Sequence, residues 1–350
     1  MRAVVLRDGG LAVREVADPE PGPGELLCRT LSTAICASDV HFMDHPELGV
    51  DDPTGRSLYD PARDIVLGHE FVAEVVGHGP GCTGQFPIGT RVTSIPIRLV
   101  NGGADGARII GQHPEALGSF AELMVLAEPM SRAVDPGVAP DAAALTDAFA
   151  VGEFYVRSAD PQPDQVALVI GAGAIGLSAV AALRARGVDP VIVSDFKAER
   201  RELARASFGA HVAVDPAERS PFDVLREIRA ERGKWGPAAI FECVGAPGLI
   251  AGIVDSVDMG TRIHCAGGWY TGNALDITAA TRAGVTVQFG GGPMPQDWYG
   301  TLDAISAGRL DPLPSVGSVI GLDEVPEALD LARRSEGPPR IVVHPNGDPR

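Results

Sequence analysis

The chain has 350 residues, 45% of them hydrophobic, and its 29 Lys and Arg against 46 Asp and Glu give a formal net charge of −17. This length exceeds one ordinary hydrophobic core, so we expect two domains. The negative charge argues against nucleic acid or an anionic membrane surface as a partner, because both are polyanions. The bulk properties therefore predict an acidic, soluble globular protein.

The cysteines are sparse and show no close pairing along the chain. They are Cys28, Cys36, Cys82, Cys243 and Cys265. The first residues do not form a signal peptide, because charged side chains interrupt them at once. We therefore expect a reduced, cytoplasmic protein whose thiols are free or bind a metal.

Short strands separated by Gly and Pro extend from residue 1 to about residue 150 and predict a β-rich first domain. The candidate strands are Ala3–Leu6, Leu26–Thr30, Phe71–Val76, Arg91–Ile97 and Ala121–Leu126. A long connection covers residues 42–66. Its length suits either a lid or wall over a substrate or a plain surface insertion.

Residues 151–292 form short apolar runs that alternate with helical stretches. The candidate strands are Val166–Ile170, Val191–Ser194, His211–Val214, Ala239–Val244, Arg262–Ala266 and Val285–Phe289. Six strands with helices between them predict an α/β domain with a doubly wound parallel sheet. The uncharged stretch from Val166 to Leu183 is nominally of membrane length, but its glycines divide it into strand, turn and helix, so we expect no membrane span. Residues 293–350 end in a strand over residues 340–343 and are assigned to the first domain.

A glycine-rich segment follows the first strand of this sheet and opens an Ala-rich helix. Its residues are Gly171, Ala172, Gly173, Ala174, Ile175 and Gly176. In this context the first glycine makes a tight turn, the second lets the backbone approach a pyrophosphate, and the third allows close helix–strand packing. The helix N-terminus then offers amide donors to the phosphates. The segment predicts a dinucleotide site that includes Gly171, Gly173, Ala174, Ile175 and Gly176.

Asp195 ends the next strand and predicts the choice of dinucleotide. A carboxylate at this position accepts hydrogen bonds from the adenosine ribose and repels a 2′-phosphate, which favours NAD over NADP. Three nearby cations, Lys197, Arg200 and Arg201, suit either a 2′-phosphate or the solvated first turn of a helix. We include Arg200 among the cofactor-binding candidates.

Two distant segments carry metal-ligand chemistry. The first runs from Cys36 to His41 and the second is Gly68-His69-Glu70. Thiolate and imidazole are ligands that a catalytic zinc prefers. Taken alone, however, Cys36 is also typical of a small buried hydrophobe and His69 of a core or turn histidine.

The chain resembles the zinc-dependent medium-chain dehydrogenase/reductase family, which includes alcohol and polyol dehydrogenases, over essentially its full length. The matching segments are residues 36–41, 68–70, Gly118-Ser119-Phe120-Ala121-Glu122, residues 171–176 with Asp195, and Glu242-Cys243-Val244-Gly245. The resemblance implies a GroES-like catalytic domain, residues 1–150 with 293–350, and a Rossmann domain over residues 151–292.

The resemblance also implies roles for individual residues. Cys36 and His69 match the catalytic-zinc ligands, Glu70 the acid that approaches the zinc or lies beside it, and Asp147 the third firm ligand. For Asp147 the alternative is a carboxylate stabilised at a helix N-terminus. Asp39 would orient a ligating histidine.

The resemblance further implies a proton relay and an NAD contact. Ser38 matches the hydroxyl that contacts the substrate oxygen and His41 the outer end of the relay, with a cofactor ribose hydroxyl between them. Val244 lies in a segment that matches the nucleotide site. Zinc would lower the pKa of the bound alcohol while hydride passes to NAD.

One departure from the family concerns its second, structural zinc, which many members bind with four closely spaced cysteines. Residues 97–120 contain no cysteine, so we expect one catalytic zinc and a lobe held by packing.

The sequence predicts the type of reaction but does not identify the substrate. Aromatic and apolar residues that suit a hydrophobic pocket, or instead a core or subunit interface, are Phe42, Phe149, Trp269, Tyr270, Met294, Trp298 and Tyr299. The sequence is consistent with either a bulky alcohol or a polyol as the substrate.

Three functions are consistent with these motifs. The first is a zinc- and NAD-dependent alcohol or polyol dehydrogenase that acts as a homo-oligomer. The second is a zinc-independent reductase of the same fold that acts on an activated double bond, as in quinone or enoyl reductases. The third is a non-catalytic dinucleotide-binding protein.

Overall fold

The computed structural model describes residues 1–50, 52–162, 164–268 and 274–349. The chain divides into two compact units, Met1–Asp147 with Leu302–Arg350, and Ala148–Thr301. The first predicted domain ends at residue 150 and the second at residue 292, and these boundaries stay predictions.

The strands are β1 Arg2–Arg7, β2 Gly10–Glu15, β3 Glu25–Ala34, β4 Ile65–Val66, β5 Glu70–His78, β6 Arg91–Ser94, β7 Ile97–Leu99, β8 Ala107–Ile109, β9 Leu123–Ala127, β10 Ser131–Ala133, β11 Ala167–Ile170, β12 Val191–Ser194, β13 Val212–Val214, β14 Ala239–Glu242, β15 Arg262–Cys265, β16 Thr286–Phe289, β17 Val316–Ile320 and β18 Arg340–Val343. The helices are α1 Ala37–Asp44, α2 Glu47–Val50, α3 Pro140–Ala144, α4 Thr146–Ala159, α5 Ala174–Ala185, α6 Ala198–Ala206, α7 Pro221–Arg232, α8 Leu249–Ser256, α9 Ile277–Ala283, α10 Pro295–Ser306 and α11 Val325–Arg333.

The first unit is built on a mixed sheet in the order β10-β6-β5-β3-β18-β17, to which β9 adds by pairing with β3. A smaller sheet has the order β2-β1-β4, and β7 pairs with β8. The antiparallel register of β3 and β5 places Ala34 opposite Glu70. Because β3 leads directly into α1, this register brings the start of α1 beside the start of β5.

Helix α1 is held by one buried face. Val40 and Phe42 are buried in a cluster with Val325 and Leu329 of α11. Burial of side chains of this size contributes roughly 1.5–3 kcal/mol each. This packing fixes the orientation of α1, which also carries Ser38.

The second unit contains a parallel sheet in the order β13-β12-β11-β14-β15-β16. Its strands bury a nearly continuous apolar core, as expected for a parallel sheet covered on both faces. The predicted α/β class, with a doubly wound parallel sheet beside a β-rich domain, is confirmed. Val166 to Leu183 contains β11 and most of α5, and among the described residues no helix has the length and apolar character needed to cross a bilayer.

One sequence prediction needs correction in detail, and the role of the connection over residues 42–66 stays a prediction. The single strand expected over residues 91–97 is split between β6 and β7, because Pro96 has no N–H to donate to a ladder. Part of the connection over residues 42–66 is ordered by Asp52, whose carboxylate accepts the backbone N–H groups of Thr54, Arg56 and Ser57.

Candidate active site

Asp39 links the two predicted metal-binding segments. Its Oδ2 accepts the Cys36 N–H at 3.0 Å, and its Oδ1 accepts the Gly68 N–H at 3.3 Å and lies 3.2 Å from His69 Nδ1. Asp39 is fully buried. Because a carboxylate only accepts, His69 carries a proton on Nδ1, and Nε2 is the ring atom that could bind a metal.

The turn before His69 has no room for a larger residue at its glycine. Gly68 has φ +95°, and a Cβ built on it would lie 2.7 Å from Ser119 Oγ. A Cβ on Gly118 would lie 2.2 Å from Leu67 O. The predicted Gly118-Ser119 motif therefore packs directly against the turn that presents His69.

Cys36, His69 and Glu70 converge on one point. One ligand atom from each lies within 4.8 Å of the other two, and within the described ranges this is the one such group of three or more His, Cys, Asp or Glu residues. His69 and Glu70 are buried, and Cys36 is half-buried. Sulfur, nitrogen and oxygen donors at this spacing suit a tetrahedral zinc.

A buried arginine, Arg340, donates a hydrogen bond to only one of the two carboxylate oxygens of Glu70. Arg340 Nη2 donates to Glu70 Oε1 at 3.0 Å, and both side chains are at most 2% exposed. Glu70 Oε2 is buried and has no hydrogen-bond partner among the described residues. An unpartnered carboxylate oxygen beside a thiol and an imidazole fits a cation, so the residues present fit zinc.

The electrostatics of the cluster favour a deprotonated thiol. Burial opposes ionisation of Cys36, but the hydrogen bond and charge of His69, with the charge of Arg340, lower the pKa of the thiol to about 6. Burial likewise opposes the charge of His69, yet Asp39 raises the pKa of that imidazole well above its usual value. Burial, the largest influence, raises the pKa of Glu70 against the opposing charge of Arg340. The thiolate that a metal needs is therefore present at neutral pH.

The predicted relay residues lie on α1. Ser38 Oγ is 3.1 Å from His69 Nε2, so the hydroxyl adjoins the atom that would bind a metal. His41 lies one turn further along α1 and is half-buried. Burial and then the charge of His45 lower the pKa of His41.

The predicted third ligand, Asp147, lies in the first turn of α4 and is half-buried. It is not part of the group formed by Cys36, His69 and Glu70. Its role as a zinc ligand stays a prediction.

In the second unit the glycine-rich segment has the shape that a phosphate cradle requires. It connects β11 to α5, whose first residue is Ala174, followed by Ile175. Gly171 has φ +92°, and a Cβ on Gly176 would lie 1.8 Å from Gly171 O. The first and third glycines are therefore needed for the turn itself, while a Cβ on Gly173 would meet only Arg200 Nη1, at 3.9 Å.

Asp195 lies at the end of β12, where its carboxylate contacts the same segment. Its Oδ2 accepts the Ala172 N–H at 2.8 Å, and its Oδ1 accepts the Lys197 N–H at 2.8 Å. Arg201 pairs with Asp215 at 2.9 Å and also donates to the Asp195 carbonyl. Arg201 is therefore engaged within the fold.

Val244 lies in the loop after β14, the strand that pairs with β11, and is close to the glycine-rich segment. Its Cγ2 would be 2.6 Å from a Cβ on Gly171. The loop that carries Val244 is held by buried Glu242, which accepts the Val244 N–H at 2.7 Å and the Gly245 N–H at 2.8 Å.

Sequence reasoning missed Arg340. The available signal was a charged residue that opens the apolar run Arg340-Ile341-Val342-Val343, because a buried strand rarely accepts an unpaired charge. Its partner could not be read from the sequence, since β18 and β5 are far apart along the chain.

The residues predicted to form an apolar substrate pocket lie in different environments. Phe42, Phe149 and Trp298 are at most 5% exposed and belong to the core, whereas Met294 is 49% exposed. Trp269 and Tyr270 lie outside the described residues.

Comparison with known proteins agrees with this architecture. Residues 22–135 match the model of the alcohol dehydrogenase GroES-like domain, and residues 174–307 match that of the zinc-binding dehydrogenases. L-threonine 3-dehydrogenase of Salmonella gallinarum is 30% identical over 336 residues, which cover 93% of this chain and 94% of that protein. The enzyme of the same name from Vibrio cholerae is 29% identical over 333 residues, with 93% of each chain covered.

Solved structures show the same fold. 2R,3R-butanediol dehydrogenase from Bacillus subtilis has a TM-score of 0.81 at 24% identity, with 99% of each chain covered. Alcohol dehydrogenase TADH from Thermus sp. ATN1 has a TM-score of 0.80 at 24% identity and covers 98% of this chain and 99% of its own. The chain belongs to the zinc-binding medium-chain dehydrogenases, a family of oxidoreductases.

Proposed function

We propose that this protein oxidises an alcohol to a carbonyl compound with NAD, and catalyses the reverse reaction, at a single catalytic zinc. The observation that carries the proposal is the convergence of Cys36, His69 and Glu70 within 4.8 Å of one another. Cys36, His69 and Asp147 would hold the zinc, and Glu70 would contact it through Oε2, which has no partner in the described part of the chain. Bound zinc supplies an open coordination position that polarises the substrate oxygen.

The protein's own residues then manage the proton. Asp39 keeps the proton of His69 on Nδ1, which maintains Nε2 as a donor to the metal. Ser38, whose hydroxyl is 3.1 Å from His69 Nε2, is placed to accept the proton of the alcohol. His41, a neutral imidazole near pH 7 because burial lowers its pKa, receives that proton further from the metal.

The nucleotide site favours NAD. Asp195 would accept the adenosine ribose hydroxyls with the lone pairs that Ala172 and Lys197 leave available. Engagement of Arg201 with Asp215 supports this choice, because it removes one cation from the set available to a 2′-phosphate. Gly171, Gly173, Ala174, Ile175 and Gly176 would hold the pyrophosphate, with Arg200 and Val244 beside them.

The relatives suggest the substrate class. The proteins similar to this chain include enzymes named for L-threonine and for 2R,3R-butanediol, which are secondary alcohols with a polar group on the next carbon. We propose a substrate of this class.

We also propose that the protein is a homo-oligomer. In support, β16 lies at the end of the strand order of the parallel sheet and carries Phe289, which is 62% exposed. Light scattering on the purified protein measures this directly.

The test combines metal analysis with a substrate panel. We expect about one zinc per chain after expression in zinc-replete medium, and NADH formation with L-threonine, 2R,3R-butanediol or a related alcohol. Fewer than about half an equivalent of zinc, or no absorbance change with NAD or NADP across the panel, contradicts the proposal. Asp195→Ala provides the cofactor control, because it should weaken NAD binding and reduce discrimination against NADP.

A further inference from the structure

Helix α1 and the residue that caps its C-terminus carry two histidines, His41 and His45, on the side that begins at the candidate metal site. Ser38 and His41 are three residues apart, so their side chains lie on one side of the helix, and the ring of His45, at the C-cap, lies next to that of His41. Ser38 adjoins His69, and each later residue lies further from the metal ligands along the helix axis. The proposed function uses Ser38 and His41 and leaves His45 without a role.

His45 connects His41 to an exposed carboxylate. The ring centroids of His41 and His45 are 6.5 Å apart, with 32° between their planes. His45 Nδ1 lies 3.1 Å from Glu47 Oε1. The side chain of His45 is 25% exposed and that of Glu47 is 57% exposed, so this pair reaches solvent.

We propose that His45, oriented by Glu47, accepts the reaction's proton from His41 and releases it to water. The inference rests on the proposed function. Oxidation of an alcohol by NAD sends the carbon-bound hydrogen to the nicotinamide as hydride and leaves the hydroxyl proton to be removed. That proton passes to His41, then through a bridging water to His45, whose ring centroid is 6.5 Å away, and then to bulk water.

The surrounding charges suit this direction of transfer. Glu47 accepts the Nδ1–H of His45, which makes Nε2 the basic nitrogen of that ring. Asp44, the other acid near His41, is paired with Arg333 of α11 at 2.9 Å, and Arg333 also pairs with Asp330. Burial and then the charge of His45 lower the pKa of His41, so His41 does not retain the proton that it receives.

The test uses His45→Gln and Glu47→Gln in the full-length zinc enzyme, with His78→Gln as the control. His78 is an exposed residue whose Nε2 hydrogen-bonds to Phe86 O, away from α1. We expect His45→Gln to lower kcat for alcohol oxidation about 3- to 10-fold near pH 7 with KM nearly unchanged, because a proton-transfer partner is lost. Added imidazole buffer should restore kcat in this variant and leave wild type unchanged. Glu47→Gln should have a smaller effect of the same kind.

A second measurement does not need turnover. NMR titration should show a higher pKa for His41 in His45→Gln than in wild type, because the neighbouring positive charge is gone. An unchanged His41 titration together with unchanged kcat, or a kcat loss that imidazole does not restore, overturns the relay. If the wild-type enzyme oxidises none of the alcohols tested, the proposed function is wrong. The NMR titration still decides in that case whether the pKa of His41 depends on His45.

Discussion

The first unit contains two Glu–Arg pairs, each with a buried glutamate, that differ in how many of their hydrogen-bonding atoms have partners. Glu25 accepts Arg98 Nε at 2.7 Å on Oε1, and on Oε2 it accepts Arg98 Nη2 at 2.8 Å and the Gly22 N–H at 2.7 Å. Glu70 accepts Arg340 Nη2 on Oε1 alone, and its Oε2 and Arg340 Nε have no partner among the described residues. The Glu25–Arg98 pair has partners on both carboxylate oxygens, whereas the Glu70–Arg340 pair leaves one carboxylate oxygen for the metal proposed above.

The Glu25–Arg98 pair also explains how the lobe without structural-zinc cysteines is held. Arg98 lies on β7, at the start of the segment where packing was expected to replace the metal, and it also donates to the Glu115 carbonyl. Cys82 Sγ donates to the Glu25 carbonyl at 3.2 Å. Buried ionic hydrogen bonds therefore add to packing in this lobe.

Among changes that distinguish the region of Glu70 and Arg340 from that of Glu25 and Arg98, we expect Cys36→Ser to have the largest effect on kcat. Loss of the thiolate should remove zinc and lower kcat by roughly 1,000-fold, because metal polarisation supplies several kcal/mol and about 1.4 kcal/mol corresponds to tenfold. NAD affinity should stay nearly the same, since the nucleotide residues lie in the other unit. Zinc content, kcat and NAD titration measure this, with Cys82→Ser as the control. An equal loss of NAD affinity would falsify the division of labour between the units.

The two glutamates provide a matched comparison. Glu70→Gln should lower zinc affinity about 10- to 100-fold, whereas Glu25→Gln should leave it unchanged. Both changes leave an arginine without its counter-ion, so both should lower stability, by about 3 kcal/mol for Glu70→Gln and less for Glu25→Gln, because Arg98 is 22% exposed. Competition with a zinc chelator and thermal melting measure the two effects. If Glu25→Gln also lost zinc, the distinction between the pairs would be wrong.

The half-buried thiols of the two regions should differ in reactivity. The pKa of Cys36 is lowered to about 6, and burial raises the pKa of Cys82. In zinc-free protein at pH 7 we expect Cys36 to react with iodoacetamide about 30-fold faster than Cys82, because the thiolate is the nucleophile. Its rate should fall as pH drops through 6, since protonation then removes the thiolate. Mass spectrometry of the modified peptides measures both rates, and comparable rates would contradict the assignment.

The smallest effect is expected from Arg98→Lys. Lysine keeps the charge but not the two-pronged contact with Glu25, so stability should fall by about 1 kcal/mol. Thermal melting measures this loss, and zinc content should not change. A parallel loss of zinc would show that the lobe supports the metal site.

The sequence was sufficient where local chemistry dictates geometry. Gly171 and Gly176 occupy positions where a Cβ has no space, and such constraints can be read from spacing within one strand–turn–helix unit. Asp195 was predictable for the same reason, because it ends the adjacent strand. The interruption at Pro96 was also visible in the sequence, but the expected strand over residues 91–97 did not take it into account.

The sequence was insufficient where distant segments meet. The contact of Arg340 with Glu70 depends on β18 pairing with β3, and no local pattern encodes that pairing. The Arg98–Glu25 tie has the same origin. The position of Asp147 relative to the cluster could not be predicted either, because it depends on where α4 begins.

Asp39 sets the spacing of ligands that it does not itself join. Its two oxygens hold the Cys36 backbone and the His69 ring, so one short side chain ties together the two segments that carry the thiol and the imidazole. If zinc binds at the proposed site, a change at position 39 would therefore alter how an ion fits between Cys36 and His69 without removing a ligand.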